Sequence, residues 1–329
     1  MKYIMELPLY DKLLNKIYAY YQTIWKDKWK ADIDQEWLNN FTDGDEIKAE
    51  KERINMLYLL SKFMYFGNEE LRQLLLSMYR DLFKYPIIDG IRKTHSDTLD
   101  ITIINSLFRE ELLKTRFLGV GNPSESGVHM LYYFRQECKL SKEYFINASE
   151  IFSTSITREE TPDGDTRSYL KSDLRDKSIK RFIFMDDFCG SGAQATEYLK
   201  EIVENIKFED KEIEVNYLVL FGTASGIDQI RMLNIFNRVE SVFLMDETFK
   251  VFSNESRYYK NAPKELIDKQ FSKETAVKYC TPLFDSPLGF GNCELLLSLY
   301  HNTPDNTLPI FWSEENRWKP IFKRYIKIY

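Results

Sequence analysis

Cysteine and histidine are scarce in this chain of 329 residues, four of the first and three of the second. Cys138, Cys189, Cys280 and Cys293 stand apart with no metal-ligand spacing, which argues against a zinc site and more strongly against a disulfide framework. None of the three histidines brings a partnered base to the neighbourhood of Cys189, so the sequence gives little support to a thiol nucleophile. No run approaches the roughly 18 to 20 apolar residues that cross a membrane. The amino terminus, with Glu6 and Asp11 close in, does not read as a secretion signal. The expectation is a cytoplasmic protein without a membrane partner. A formal net charge of −6 supplies no general attraction to nucleic acid.

Against these absences stands one dense stretch, Arg181 to Gln194. Phe182 to Met185 are four consecutive apolar residues and predict a buried strand; Ala193 to Ile206 predicts a helix, with Leu199, Ile202, Val203 and Ile206 on one face. Between them lie Asp186, Asp187 and the turn Gly190, Ser191, Gly192. The glycines let the backbone turn tightly and present N–H groups at a helix N-terminus, an arrangement that holds phosphate. Carboxylates fixed beside such a cradle suit a ligand with a phosphate and hydroxyls or a cation, such as a ribose phosphate with magnesium.

The surroundings repeat the pattern. Arg116 to Gly121 predicts a strand entering a Gly/Asn/Pro/Ser turn that includes Pro123, and Ser126 to Gln136 predicts a helix. Tyr144 to Asn147, Val215 to Phe221 and Val239 to Met245 predict further strands, and the alternation points to an α/β doubly wound sheet. Ser153 to Lys180, with Pro162-Asp-Gly164 and few large apolar residues, predicts a mobile loop. Its cations Arg158, Arg167, Lys171 and Arg175 are open to two readings, a grip on an anionic ligand or a solvated surface.

The first ninety residues differ in kind. Leu9, Leu13, Ile17, Tyr21 and Ile24 recur at helical spacing, as do Ile54, Leu57, Leu60 and Met64, and then Leu71, Leu74, Leu75, Met78, Tyr79 and Leu82. Asn68-Glu-Glu70 predicts the start of the third helix and Tyr85-Pro86 its end. The spacing predicts a helical domain over 1–90 and an α/β domain over 91–329. The aromatic stripe of Tyr18, Tyr20, Tyr21, Trp25 and Trp29 fits a core better than a partner surface. The segment from Trp318 to Tyr329 is basic and aromatic, and reads as an exposed end or as a grip on a partner. The loop from His301 to Trp312 either carries binding groups or uses its Asn and Thr side chains on its own backbone.

Two families resemble the central stretch. Asp187-Phe-Cys-Gly-Ser-Gly192 is similar to the motif with which amino-methyltransferases contact S-adenosylmethionine. That resemblance is the weaker one: Gly222-Thr-Ala-Ser-Gly226 follows the next strand without a carboxylate, and Asn122-Pro123-Ser124 lacks the second proline and the aromatic ring of the catalytic loop. Phe182 to Met185, Asp186, Asp187, Ser191 and Gly192 resemble the phosphoribosyl pyrophosphate (PRPP) motif of type I phosphoribosyltransferases, departing from it at Gly190 and Gln194, where threonines are usual. With the helical first part and the 289–312 run, the chain resembles the phosphoribosyltransferase-like proteins of bacterial conflict and anti-phage systems, including retron-associated effectors.

The resemblance implies a type I phosphoribosyltransferase-like parallel sheet preceded by an all-α domain. It implies Asp186 and Asp187 as catalytic residues, Gly190, Ser191, Gly192, Ala193 and Gln194 on the phosphate, and Gly121, Asn122, Ser124, Ser126 and Gly127 on the pyrophosphate. Magnesium would arrive with PRPP and no residue is assigned to it as a ligand. The 153–180 stretch would be the flap that closes over substrate. The function implied is a defence effector or regulator acting with a protein or ribonucleoprotein partner of its own cassette; a module that senses PRPP or a nucleotide without turnover is the alternative.

Overall fold

The computed structural model describes residues 8–28, 33–122, 124–160 and 166–325. Trp29, Pro123, residues 162–164 and residues 326–329 lie outside them. The elements begin with α1 (Pro8–Thr23), α2 (Ile33–Leu38), α3 (Glu46–Leu60), β1 (Met64–Phe66) and α4 (Asn68–Ser77). A π-helical stretch, Met78–Lys84, leads into α5 (Tyr85–Thr94), followed by α6 (Ile101–Leu113), β2 (Thr115–Gly119) and α7 (Ser126–Glu137). Then come β3 (Phe152–Glu160), β4 (Thr166–Leu174), β5 (Arg181–Cys189), α8 (Ala193–Glu209), β6 (Glu214–Thr223), α9 (Ala224–Met232), β7 (Arg238–Met245), α10 (Lys269–Cys280) and β8 (Leu297–Leu299).

By packing, the chain forms two compact units, one of residues 72–244 and one that joins residues 1–71 to 245–329. The position expected for a domain change, Gly90, lies inside α5.

The 72–244 unit is built on a four-stranded sheet in the order β2-β5-β6-β7, with β2, β5 and β6 parallel, and is the mixed α/β architecture expected. Side chains alternate between faces along a strand. Leu118, Phe182, Phe184, Val215, Tyr217 and Val219 share one core with Leu199, Val203 and Ile206 of α8 and Ile227 and Ile230 of α9. On the opposite face the Phe117 ring lies 4.9 Å from Phe83 of the π-helical stretch and 5.3 Å from Phe134 of α7. Most of these side chains are fully buried, and each such burial contributes roughly 1.5–3 kcal/mol.

Three local expectations are corrected in this unit. Tyr85-Pro86 does not end a helix: Lys84 and Tyr85 keep right-handed helical angles, and the chain runs on from the π-helical stretch into α5 with Pro86 in its first turn. Tyr144 to Asn147 is not a strand; a short 3₁₀ turn ends at Tyr144 and a single parallel bridge ties Phe145 to Phe117. The 153–180 stretch is not an irregular loop either. β3 and β4 pair antiparallel along their whole length, Phe152 with Leu174 through Glu160 with Thr166. Threonine, isoleucine and tyrosine suit such a ribbon even though both its faces are mostly open to solvent.

In the second unit, α1, α2 and α3 share their core with the last part of the chain. Trp25, Trp37, Phe41 and Phe63 pack with Phe311, Trp318 and Phe322. Phe63 stacks on Phe322 at 4.2 Å, and the indole N–H groups of Trp37 and Trp318 both donate to the Ile310 carbonyl, at 2.7 and 2.8 Å. β1 pairs parallel with β8, Met64 opposite Leu297. Tyr21 and Trp25 of the aromatic stripe are core, with Tyr18 and Tyr20 packed against it. Trp318 and Phe322 are buried too, so the start of the basic terminal segment is anchored rather than exposed.

Candidate functional site

β5 carries both acids before its end: Asp186 is in register with Val219 of β6, and Cys189 with Gly222. The two neighbours are held from opposite faces of the sheet. Asp186 Oδ2 accepts a hydrogen bond from the Tyr217 hydroxyl at 3.0 Å, within the α8 and α9 core, and its Oδ1 accepts from the Asp187 N–H at 3.0 Å. Asp187 is buried, and its Oδ1 accepts from the Ser126 hydroxyl at 2.8 Å, in the first turn of α7. Desolvation first and the Asp187 carboxylate second push Asp186 well above the usual carboxylate range, against the lowering effect of the Tyr217 hydrogen bond. Burial, followed by Asp186, raises the Tyr217 phenol as well.

The Gly190–Gln194 turn connects β5 to α8. Gly192 takes φ +77°, a left-handed conformation that favours glycine, and precedes the first residue of α8. Ser191 Oγ accepts from the Ala193 N–H at 3.4 Å. The turn is braced from the next strand by Thr223, whose hydroxyl donates to the Gly190 carbonyl and accepts from the Gly226 N–H at 3.0 Å. A methyl group on Gly226 would overlap the Gly190 carbonyl, so the two turns touch backbone to backbone.

The loop after β2 is built in the same way. Gly121 has φ +98°. Asn122 Oδ1 accepts from both the N–H and the hydroxyl of Ser124, at 3.0 and 2.6 Å. Gly127 lies so close to the sheet that a methyl group there would stand 2.6 Å from the Val120 carbonyl and 3.2 Å from that of Met185. This close approach sets the first turn of α7 over the end of β5. Glu125, just before α7, accepts from the Gln194 side-chain amide at 2.9 Å and so ties the two loops together.

The structure thus brings Asp187, Ser126 and Gln194 into one place with the Gly190–Gly192 turn. The side chains of Asn122 and Ser124 bond to each other. Asp186 is half-buried and committed to the Tyr217 hydroxyl. Four residues escaped the sequence reading as parts of the site: Glu125, Tyr217, Thr223 and Gly226. Thr223 and Gly226 left a signal in Thr-x-x-Gly before a helix, the spacing of a hydroxyl N-cap; the others left none. Cys189 is buried beside the Tyr217 phenol, and His129 stacks edge-on with Tyr133 instead.

Two other regions commit their described polar side chains elsewhere. Lys171, midway along β4, pairs with Asp173 at 2.9 Å and senses Glu209, in the last turn of α8. A helix of that length runs about 24 Å from the turn that opens it. The 301–312 loop spends its polar groups on the chain. Thr303 bonds Ser298 and the Phe322 carbonyl, Thr307 the Leu297 carbonyl, and Asn306 the Phe290 carbonyl.

Among solved structures, the chain is similar to Helicobacter pylori xanthine-guanine-hypoxanthine phosphoribosyltransferase at 9% identity, covering 55% of this chain and 85% of that one with a TM-score of 0.28. Orotate phosphoribosyltransferase from Aeropyrum pernix is similar at 15% identity over 45% of this chain and 78% of that one, with a TM-score of 0.23. A hypothetical Neisseria gonorrhoeae protein with bound ppGpp is similar at 12% identity over 56% and 85%, with a TM-score of 0.26. No curated protein matched the chain. The PRTase-CE family profile matches residues 35–324.

Proposed function

The chain belongs to the PRTase-CE family, and from that premise we propose that its phosphoribosyltransferase-like unit binds PRPP or a related ribose phosphate with magnesium, as an effector or regulator in bacterial anti-phage defence. The observation that carries the ligand is the meeting of two glycine loops, each opening a helix, near the end of β5: Ser126 donates to the buried Asp187 at 2.8 Å, and Gln194 of the second loop donates to Glu125 of the first. Backbone N–H groups at the start of α8 suit the 5-phosphate, and those at the start of α7 suit the pyrophosphate. Asp187 would orient the ribose hydroxyls, with Asp186 beside it. In turnover the C1–oxygen bond breaks, pyrophosphate leaves with the electron pair, and the acceptor forms the new bond at C1. A carboxylate near C1 favours the positive charge that develops there.

Among the described residues no group of three or more His, Cys, Asp or Glu is placed to hold a metal ion. The donor set fits a magnesium ion carried by the ligand's own phosphates, where it would neutralise pyrophosphate charge, with Asp187 as a carboxylate that would help to hold it. No helix among the described residues is long and apolar enough to cross a membrane.

The defence role and the protein or ribonucleoprotein partner rest on the sequence resemblance to conflict-system proteins. Sensing without turnover is favoured by one feature, the commitment of the Gln194 side chain to Glu125 at the position where the phosphoribosyltransferase motif has threonine. Calorimetry with PRPP and magnesium, against S-adenosylmethionine, tests the ligand: the expected result is binding of PRPP alone or much more tightly, and preferential binding of S-adenosylmethionine overturns the proposal. Copurification from the native operon tests the partner.

A further inference from the structure

Glu125 is a carboxylate of the site to which the ligand reading gives no contact with the ligand. It stands at the start of α7 without capping that helix. Its carboxylate folds back into the concave side of the Gly121 turn, where a methyl group on Gly121 would overlap it. Across the cleft it accepts from Gln194 at 2.9 Å. Tyr198, one turn into α8, has its phenol raised by burial first and by the Glu125 charge second, so that charge is directed over the start of α8. A negative group therefore occupies the space between two helix N-termini that would otherwise attract an anion.

We propose that Glu125 decides which anions the site takes. Its carboxylate fills the Gly121 cradle, so that a pyrophosphate-bearing ligand seats there only by displacing it from Gln194, while a single phosphate seats on the Gly190–Gln194 turn with Glu125 still in place. Glu125 thus stands in for the pyrophosphate and couples the two loops. The first loop is closed by its own side chain until a more highly charged ligand opens it. This rests on the ribose-phosphate reading of the site.

The experiment is calorimetry on the full chain and its Glu125→Gln and Glu125→Ala variants, with ribose 5-phosphate, inorganic pyrophosphate and PRPP, each with magnesium. Loss of one competing, charge-assisted hydrogen bond should tighten pyrophosphate and PRPP by about fivefold to tenfold. Ribose 5-phosphate should gain less than either, because it does not enter the Gly121 cradle. Unchanged or weaker PRPP and pyrophosphate binding in both variants overturns the proposal, because the carboxylate would then be neutral to the ligand or a support for its magnesium. An equal gain for ribose 5-phosphate also overturns it, since the effect would not belong to the Gly121 cradle. Failure of all three proteins to bind any of the three ligands removes the ribose-phosphate reading itself, a result distinct from normal binding with no effect of the variants.

Discussion

Asp186→Asn separates the two acids most sharply. The unfolded carboxyl titrates near the ordinary value of about 3.9, while burial and then Asp187 raise the native one. Between the two values the native state keeps a proton that the unfolded state has released, so stability falls as pH rises through that window. Below it both states are protonated and nothing is lost. Each unit of the window costs about 1.4 kcal/mol. Asparagine keeps the shape, still accepts from the Asp187 N–H, and lets the Tyr217 hydroxyl rotate to accept from its amide instead of donating. It cannot ionise. The variant should be more stable than the parent at pH 7, with a flatter profile above about pH 4. The corresponding rise in Tm is about 2–4 °C per kcal/mol. Urea denaturation at several pH values measures this directly, and calorimetry should find PRPP binding largely kept. A variant that is less stable at pH 7 and keeps the parent's slope would refute the argument, because Asp186 would then serve as a charged group.

Asp187→Asn should behave in the opposite way: with its charge gone beside Ser126, PRPP binding by calorimetry should weaken about tenfold or more, with a thermal melt close to the parent's. Thr223→Val removes the hydroxyl that links the Gly190 carbonyl to the Gly226 N–H. It should cost about 1–3 kcal/mol in chemical denaturation and weaken phosphate binding. Gly226→Ala forces a methyl group onto the Gly190 carbonyl and should cost roughly 1–3 kcal/mol while lowering ligand affinity. Gly90→Ala, in α5 with open space around it, should instead stabilise by about 0.4–1 kcal/mol, which a denaturation curve distinguishes.

What the sequence determined by itself is local. Four apolar residues, two acids, a glycine turn and a helical stripe are contiguous, so β5, the Gly190–Gln194 turn and α8 were legible, as were β2, β6 and β7 from their apolar runs. The β3–β4 ribbon was missed because neither face is buried along most of its length, and a strand that buries nothing leaves no alternating apolar signal. Tertiary structure decided the rest through contacts between distant positions. Tyr217 reaches Asp186 across 31 positions and Gln194 reaches Glu125 across 69, and neither pairing is marked by any local pattern. The aromatic helices at the start of the chain advertised a buried face but not its partner, which proved to be the segment around Phe311, Trp318 and Phe322. Periodicity records that a face must be covered, because burial is repeated along one element; what covers it, and which of two adjacent carboxylates turns toward the opposing helix, depends on how separate elements meet.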